Sequence, residues 1–346
     1  MNSEKRDIRA LSKEELRDFF LSIGDKAFRG NQVYEWLWSK GVHSFEGMTN
    51  ISKETRASLE ENFVINHIKV DTLQKSDDGT IKNAVKLFDG FVVESVLIPT
   101  KSRTTACVSS QVGCSLDCMF CATARLKRMR NLNPDEIYDQ VVAIHKESML
   151  YHNKPLSNIV FMGMGEPLMN YKNVLLSIDK ITSDEGLGMS PKRITVSTSG
   201  VPKMIRKMAD DEVKFNLAVS LHSAIQETRE QIMPFAKSFT LNDLKTSLQY
   251  WYEKTKKIIT YEYIVWDGIN DKEEDIKALV QFCKYAPCKV NIIEYNPIDD
   301  GQFQQADNEA IESYISALEK NKIPVTVRRS RGKDIDAACG QLANKH

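Results

Sequence analysis

Beyond about residue 100 the chain repeats one alternation: a short run of β-branched and apolar residues, a loop, then an amphipathic stretch of helical length. The pattern predicts strands at 104–110, 158–162, 193–198, 214–220, 259–265, 288–294 and 323–329. Helical stretches fall between them, among them Pro134–Met149, Val201–Ala209, Asn242–Lys254, Lys272–Tyr285 and Asn308–Asn321. Strands separated by helices cannot form hairpins; they pair in parallel through crossovers. The expected class is therefore α/β with a parallel sheet over residues 100–346. In such folds, binding groups gather at the C-terminal ends of the strands.

Two smaller regions precede this one. Residues 1–65 read as a helical domain. Ser12 with Glu15 three residues on is a capping-box start, and Leu16, Phe19, Phe20 and Ile23 form an apolar stripe that Gly24 stops. A second helix is expected at Gln32–Trp38, with Val33, Trp36 and Leu37 inward, and a third from Ser52 to Phe63. Such a bundle either packs on its neighbour or docks RNA; its even mix of acids and bases favours the first. Residues 66–99 change to period two. Asp78-Gly79 and Asp89-Gly90 separate three alternating runs, which marks a β meander connecting the helical domain to the larger one. Glu94 sits on the last of its strands.

Of the 346 residues, 47 are basic and 47 acidic, so any nucleic-acid surface must be a local patch. The N-terminal stretch has no apolar signal core, and no apolar run approaches the ~20 residues of a membrane span. Seven cysteines form no regular disulfide framework. These features predict a soluble enzyme of a reducing cytoplasm, with no membrane partner.

Chemistry concentrates in Cys107-Val108-Ser109-Ser110-Gln111-Val112-Gly113-Cys114, which continues to Cys118 and Cys121. The last three cysteines are spaced C-x3-C-x2-C on the loop that follows the first strand of the α/β region. Three thiolates so close can converge on one soft metal centre. Zinc asks for a fourth ligand and commonly for two separated pairs. An iron–sulfur cluster normally takes four cysteines, so three leave one iron open. Polar groups stand at the ends of later strands. Gly165 and Glu166 follow the second, Ser197 ends the third, Ser220-Leu221-His222 ends the fourth, and Asn296 follows the sixth. Singly each reads as a turn or cap; jointly they form a rim able to hold ribose, carboxylate and adenine. Cys339 and Cys107 each read as small buried hydrophobes, or together as a thiol–disulfide pair. Cys283 and Cys288 flank a helix-to-strand turn and read as structural. Basic runs at 125–130 and 328–333 bracket the site and point to phosphate contacts.

The cysteine spacing, with Phe120 before the last thiol, resembles the radical S-adenosylmethionine (SAM) superfamily. The ordered set of Cys107–Cys121, Gly163–Leu168, Ser197–Gly200, Ser220–His222, Tyr295–Pro297 and Asp334–Leu342, with the N-terminal pattern at Ile23–Leu37, is similar to the RlmN/Cfr family of RNA methyltransferases. The resemblance implies a partial (β/α)6 radical-SAM barrel. It implies a [4Fe–4S] cluster on Cys114, Cys118 and Cys121. SAM would lie on Gly165, Glu166, Ser197, Ser220, Leu221, His222 and Asn296. It further implies that Cys339 is methylated by one SAM, and that a 5′-deoxyadenosyl radical from a second SAM activates that methyl group. The methylene radical adds to C2 of an adenine, the glutamate at Glu94 removes the C2 proton, and Cys107 releases the product by forming a disulfide with Cys339. The implied partners are 23S rRNA, tRNAs methylated 3′ to the anticodon, and an external electron donor; a monomer is expected. Methylation at C8 is the nearest alternative, and a non-catalytic zinc-holding RNA-binding module is the alternative of a different class.

Overall fold

The computed structural model describes residues 5–298 and 301–344. Its N-terminal part begins with β1 (Arg6–Asp7) and α1 (Lys13–Ser22), followed by α2 (Phe28–Trp38), α3 (Lys53–Asn62) and β2 (Phe63–Val64). The Ser12–Glu15 capping box is formed in both directions. Leu16 and Phe20 are fully buried, but Ile23 is 42% exposed, because the helix ends before the stripe completes another turn. The second helix starts a turn earlier than the sequence pattern predicts. A Cβ on Gly30 would lie 2.6 Å from the Arg17 nitrogen, so α1 and α2 touch backbone to backbone there. β1 and β2 pair in parallel and tie the two ends of this part together.

The meander forms as β3 (Lys69–Lys75), β4 (Ile81–Lys86) and β5 (Val92–Pro99), all antiparallel. It does more than connect. β5 pairs antiparallel with β6 (Thr104–Cys107), with Val96 opposite Cys107, so the meander extends the main sheet. Past β6 come β7 (Gln111–Val112) and β8 (Arg130–Asn131), a short antiparallel pair that closes the base of the cysteine loop. This is why the strand expected to run to residue 110 stops at Cys107.

The remaining strands are β9 (Asn158–Phe161), β10 (Ile194–Thr198), β11 (Asn216–Ser220), β12 (Ile259–Ile264), β13 (Cys288–Ile293) and β14 (Val325–Arg328). The order across the ten-stranded sheet is β14-β13-β12-β11-β10-β9-β6-β5-β4-β3, and β6 through β14 run parallel. The crossovers carry α4 (Pro134–His152), α5 (Tyr171–Thr182), α6 (Pro202–Asp210), α7 (Gln226–Ile232) with α8 (Leu241–Thr255), α9 (Glu273–Cys283) and α10 (Asn308–Lys320). This is a partial barrel of six β/α units with a closing strand. Every residue of β12 is buried, on both faces, as parallel strands covered by helices require. No described helix is both long and apolar enough to cross a membrane.

A buried cluster joins the N-terminal helices to the barrel. Arg9 Nη1 donates to both carboxylate oxygens of Asp139 (2.8 and 3.0 Å) and Nη2 to Asp135 (3.0 Å), both on α4. Tyr138 on the same helix donates to the Trp38 carbonyl (2.6 Å).

Candidate active site

The loop after β6 is stapled to the turn after β9. Ser109 is buried; its amide donates to Gln140 of α4 (2.9 Å), and its hydroxyl donates to the Glu94 carbonyl (2.5 Å) and accepts from the Met164 amide (2.8 Å). Gln111 accepts from the amides of Glu166 (3.0 Å) and Ser115 (3.2 Å). Gly165, at φ +95°, makes this approach possible: a Cβ there would sit 2.5 Å from Gln111 Cβ.

These contacts set Cys114, Cys118 and Cys121 into the wall of one cavity of about 150 Å³, together with Gly165, Glu166, Ser197, Ser220, His222 and Cys339. Burial pushes the Cys114 thiol up to about 12 and Cys118 well above its ordinary range. Glu166 is buried, and its carboxylate accepts from the amides of Leu168 (3.0 Å) and Ser199 (2.8 Å). Burial raises its pKa against the pull of those amides. His222 is buried at φ 57°, its Nδ1 accepting from the Ile264 amide (3.2 Å) and its ring edge-on to Phe120 with centroids 4.8 Å apart. Burial, with Arg229 nearby, holds the imidazole down to about 3, so it is neutral.

A second cavity, of about 380 Å³, opens on the other side of Cys339. Cys107 lines it, as do Arg103, Arg328, Arg329 and Arg331, while Met162, Ile293 and Cys339 are common to both cavities. Cys339 therefore stands in the partition. Glu262 and Arg328 stand there too. Glu262 lines the first cavity, Arg328 the second, and they form an ion pair at 3.3 Å. Burial pushes the Cys107 thiol up to about 12; Cys339 raises it further, and the Met162 amide and Arg328 pull it down.

Three residues named from the sequence lie outside the walls of both cavities. Leu221 is fully buried. Asn296 is buried and donates to the Cys339 carbonyl (3.2 Å), leaving its Oδ1 without a partner. Glu94 lines neither cavity. Its Oε2 accepts from the amides of Ala343 (2.8 Å) and Asn344 (3.1 Å), and its Oε1 pairs with Lys82 (3.3 Å). The carboxylate thus ties down the segment that follows Cys339. The basic runs are largely engaged as well. Arg130 pairs with Asp89 and Glu136, Arg331 with Asp78, and Lys333 with Glu294, whereas Arg329 faces solvent beside the second cavity.

Sequence reasoning passed over Glu262 and Arg229. Both carried a signal: a charge inside Ile259-Thr260-Tyr261-Glu262-Tyr263-Ile264, and one in a short helix that buries an apolar face, are costly unless used.

The donor set suits an iron–sulfur cluster with SAM. Among the described residues, no three His, Cys, Asp or Glu side chains close on a single metal ion; a cluster asks for one sulfur per iron. Three thiols share one chamber, and Asn296, which holds the carbonyl of the chamber-lining Cys339, keeps a buried Oδ1 without a partner.

Residues 6–65 match the family described as the ribosomal RNA large subunit methyltransferase N-terminal domain, and residues 108–282 match the radical SAM superfamily. The chain is 75% identical over 345 residues to a probable dual-specificity RNA methyltransferase RlmN of Flavobacterium johnsoniae, covering 100% of this chain and 99% of that one. A protein of the same description from Clostridioides difficile is 39% identical and covered in full by the chain. The crystal structure of a radical SAM methyltransferase from Sphaerobacter thermophilus superposes with a TM-score of 0.91 at 34% identity, covering 98% of this chain and 100% of that one.

Proposed function

The chain belongs to the RlmN family of radical SAM RNA methyltransferases, and on that premise we propose that it methylates C2 of adenine in 23S rRNA and in tRNAs 3′ to the anticodon. The observation that carries the reading is the position of Cys339 in the partition between two cavities, one walled by Cys114, Cys118 and Cys121, the other by Cys107 and arginines. C2 of adenine is electron-poor and resists an electrophilic methyl donor, so the carbon must arrive as a radical. Cys114, Cys118 and Cys121 would hold a [4Fe–4S] cluster, which together with SAM would supply one-electron, carbon-radical chemistry at this end of the barrel.

The protein's own residues divide the remaining work. Gly165 lets the SAM amino acid group approach the backbone, with Glu166 as acceptor; Ser197, Ser220-Leu221-His222 and Asn296 hold the rest. A neutral His222 offers a hydrogen bond without adding charge beside the sulfonium. Cys339 carries the methyl carbon and presents it to the second cavity, where Arg103 and Arg329 suit the phosphates around an extruded base. Glu94 takes the C2 proton once Ala343 and Asn344 leave its carboxylate. Cys107 then attacks the Cys339 sulfur, so that an S–S bond forms as the bond from that sulfur to the transferred carbon breaks; the carbon takes up a proton to become the methyl group, and an external donor supplies the two electrons that reduce the disulfide. Residues 1–65 dock the RNA, residues 66–99 link them to the catalytic barrel of residues 100–346, and the enzyme works in the cytoplasm as a monomer.

Anaerobic turnover with separate rRNA and tRNA fragments, followed by nucleoside mass spectrometry, tests this. 2-Methyladenosine in both RNAs is expected. 8-Methyladenosine overturns the regiochemistry, and a colourless zinc protein without SAM cleavage overturns the chemistry.

A further inference from the structure

Arg229, on α7, is fully buried. Its Nη2 donates to the carbonyls of Ser199 (2.6 Å) and Ser220 (3.4 Å), and its Nε to that of Leu221 (3.2 Å). One guanidinium thus bridges the ends of β10 and β11, the two strands that deliver Ser197 and Ser220 to the first cavity. Those carbonyls account for only part of its donors. Nη1 is buried without a hydrogen-bond partner. No carboxylate among the described residues pairs with this side chain; the acidic group near it is the Cys118 thiol, whose Sγ lies 4.0 Å from the hydroxyl of Ser199, the residue whose carbonyl Nη2 holds. Phe235 covers it on one side, 5.7 Å from the ring centroid.

A buried cation held only by carbonyl dipoles is strongly unfavourable unless a negative group completes it. Cys118 becomes that group when it gives up its proton to ligate iron. We infer that Arg229 is the built-in counter-charge of the cluster at Cys118 and raises the cluster's reduction potential. The inference rests on the reading of Cys114, Cys118 and Cys121 as cluster ligands. Its physical basis is simple. Reduction adds one negative charge, and a fixed cation in a poorly polarisable interior favours the more negative state. Arg229 touches neither cavity, so it acts through Cys118 as a positioning and tuning residue.

The test is a redox titration of the anaerobically reconstituted full chain, followed by electron paramagnetic resonance, without SAM or RNA. The R229Q variant keeps donors but no charge. Its midpoint is expected to fall by at least about 59 mV, a tenfold weaker one-electron equilibrium. The R229K variant keeps the charge and is expected to titrate with the unsubstituted protein. An R229Q protein with full iron and sulfide that titrates at the original potential overturns the inference. So does R229K falling as far as R229Q, because hydrogen bonding rather than charge would then be responsible. Should R229Q hold no cluster, R229K decides alone: an unchanged potential supports the inference and a fall of that size overturns it. An unsubstituted chain that binds no cluster overturns the reading beneath it, an outcome distinct from all of these.

Discussion

Replacing Arg9 by Met should loosen the N-terminal helices from the barrel without unfolding the barrel. The Arg9 side chain is 4% exposed, and its partners Asp135 and Asp139 are 9% and 11% exposed. Arg9 also donates to the Asn66 carbonyl, and its guanidinium lies 5.9 Å from the Trp38 ring. Removing one member of a buried ion pair costs about 3–5 kcal/mol, because the remaining charge is stranded. The lower end applies here. Burial already pushes Asp135 up to about 7 against the pull of Arg9, so that carboxyl can take up a proton rather than stay charged. About 3 kcal/mol corresponds to a roughly 150-fold rise in the opened population. Hydrogen exchange of the cluster-loaded full chain, read by mass spectrometry, should show amides of α1 and α2 exchanging faster by about that factor. Amides of β9 to β12 should keep their rates. Adding Asp135→Asn and Asp139→Asn should recover part of the loss. Unchanged exchange in α1 and α2, or equal acceleration along the whole chain, would refute the idea that this cluster is the joint.

Three further outcomes are expected. Purified Cys107→Ala should carry covalently bound RNA, because the adduct on Cys339 has no thiol to release it; RNA-free protein in intact-mass spectra counts against that role. Gly165→Ala adds a Cβ 2.5 Å from Gln111 Cβ at a positive φ, so SAM affinity in equilibrium dialysis should fall more than about tenfold; unchanged affinity speaks against the tight approach. For His222 the folded pKa of about 3 lies below the ~6.5 of an unfolded histidine. The unfolded chain thus binds a proton that the folded one refuses, and stability falls as pH drops from about 6.5 toward 3. His222→Asn tolerates the φ of 57° and should lose up to about 2 kcal/mol less than the parent between pH 6.5 and 5 in denaturant titrations. Parallel losses in the two proteins would sink the argument.

The sequence announces most of the barrel because each strand is a short apolar run and each crossover an amphipathic helix. The strand expected at 259–265 is an example: it forms over Ile259–Ile264, all six residues being buried. The cysteine loop and the strand-end rim are equally visible, since their spacing is local. What stays hidden is long-range. Nothing near Glu94 says that its carboxylate will hold the amides of Ala343 and Asn344, some 250 positions away. Nor does the run 125–130 reveal that Arg130 will pair with Asp89 and Glu136 rather than face a phosphate. Charges of one sign in a row look like a surface; only tertiary packing shows which of them are already neutralised. The meander presents the same limit. Its turns are plain from Asp78-Gly79 and Asp89-Gly90, but the pairing of β5 with β6 depends on the partner strand.

A single sulfur at the boundary of two chambers has a kinetic corollary. Whatever fills the small chamber shields Cys339 from one direction, and whatever fills the larger chamber shields it from the other. Alkylation of this thiol by a bulky reagent should therefore slow in two independent steps as each occupant is added, so that the order of loading can be read from one side chain.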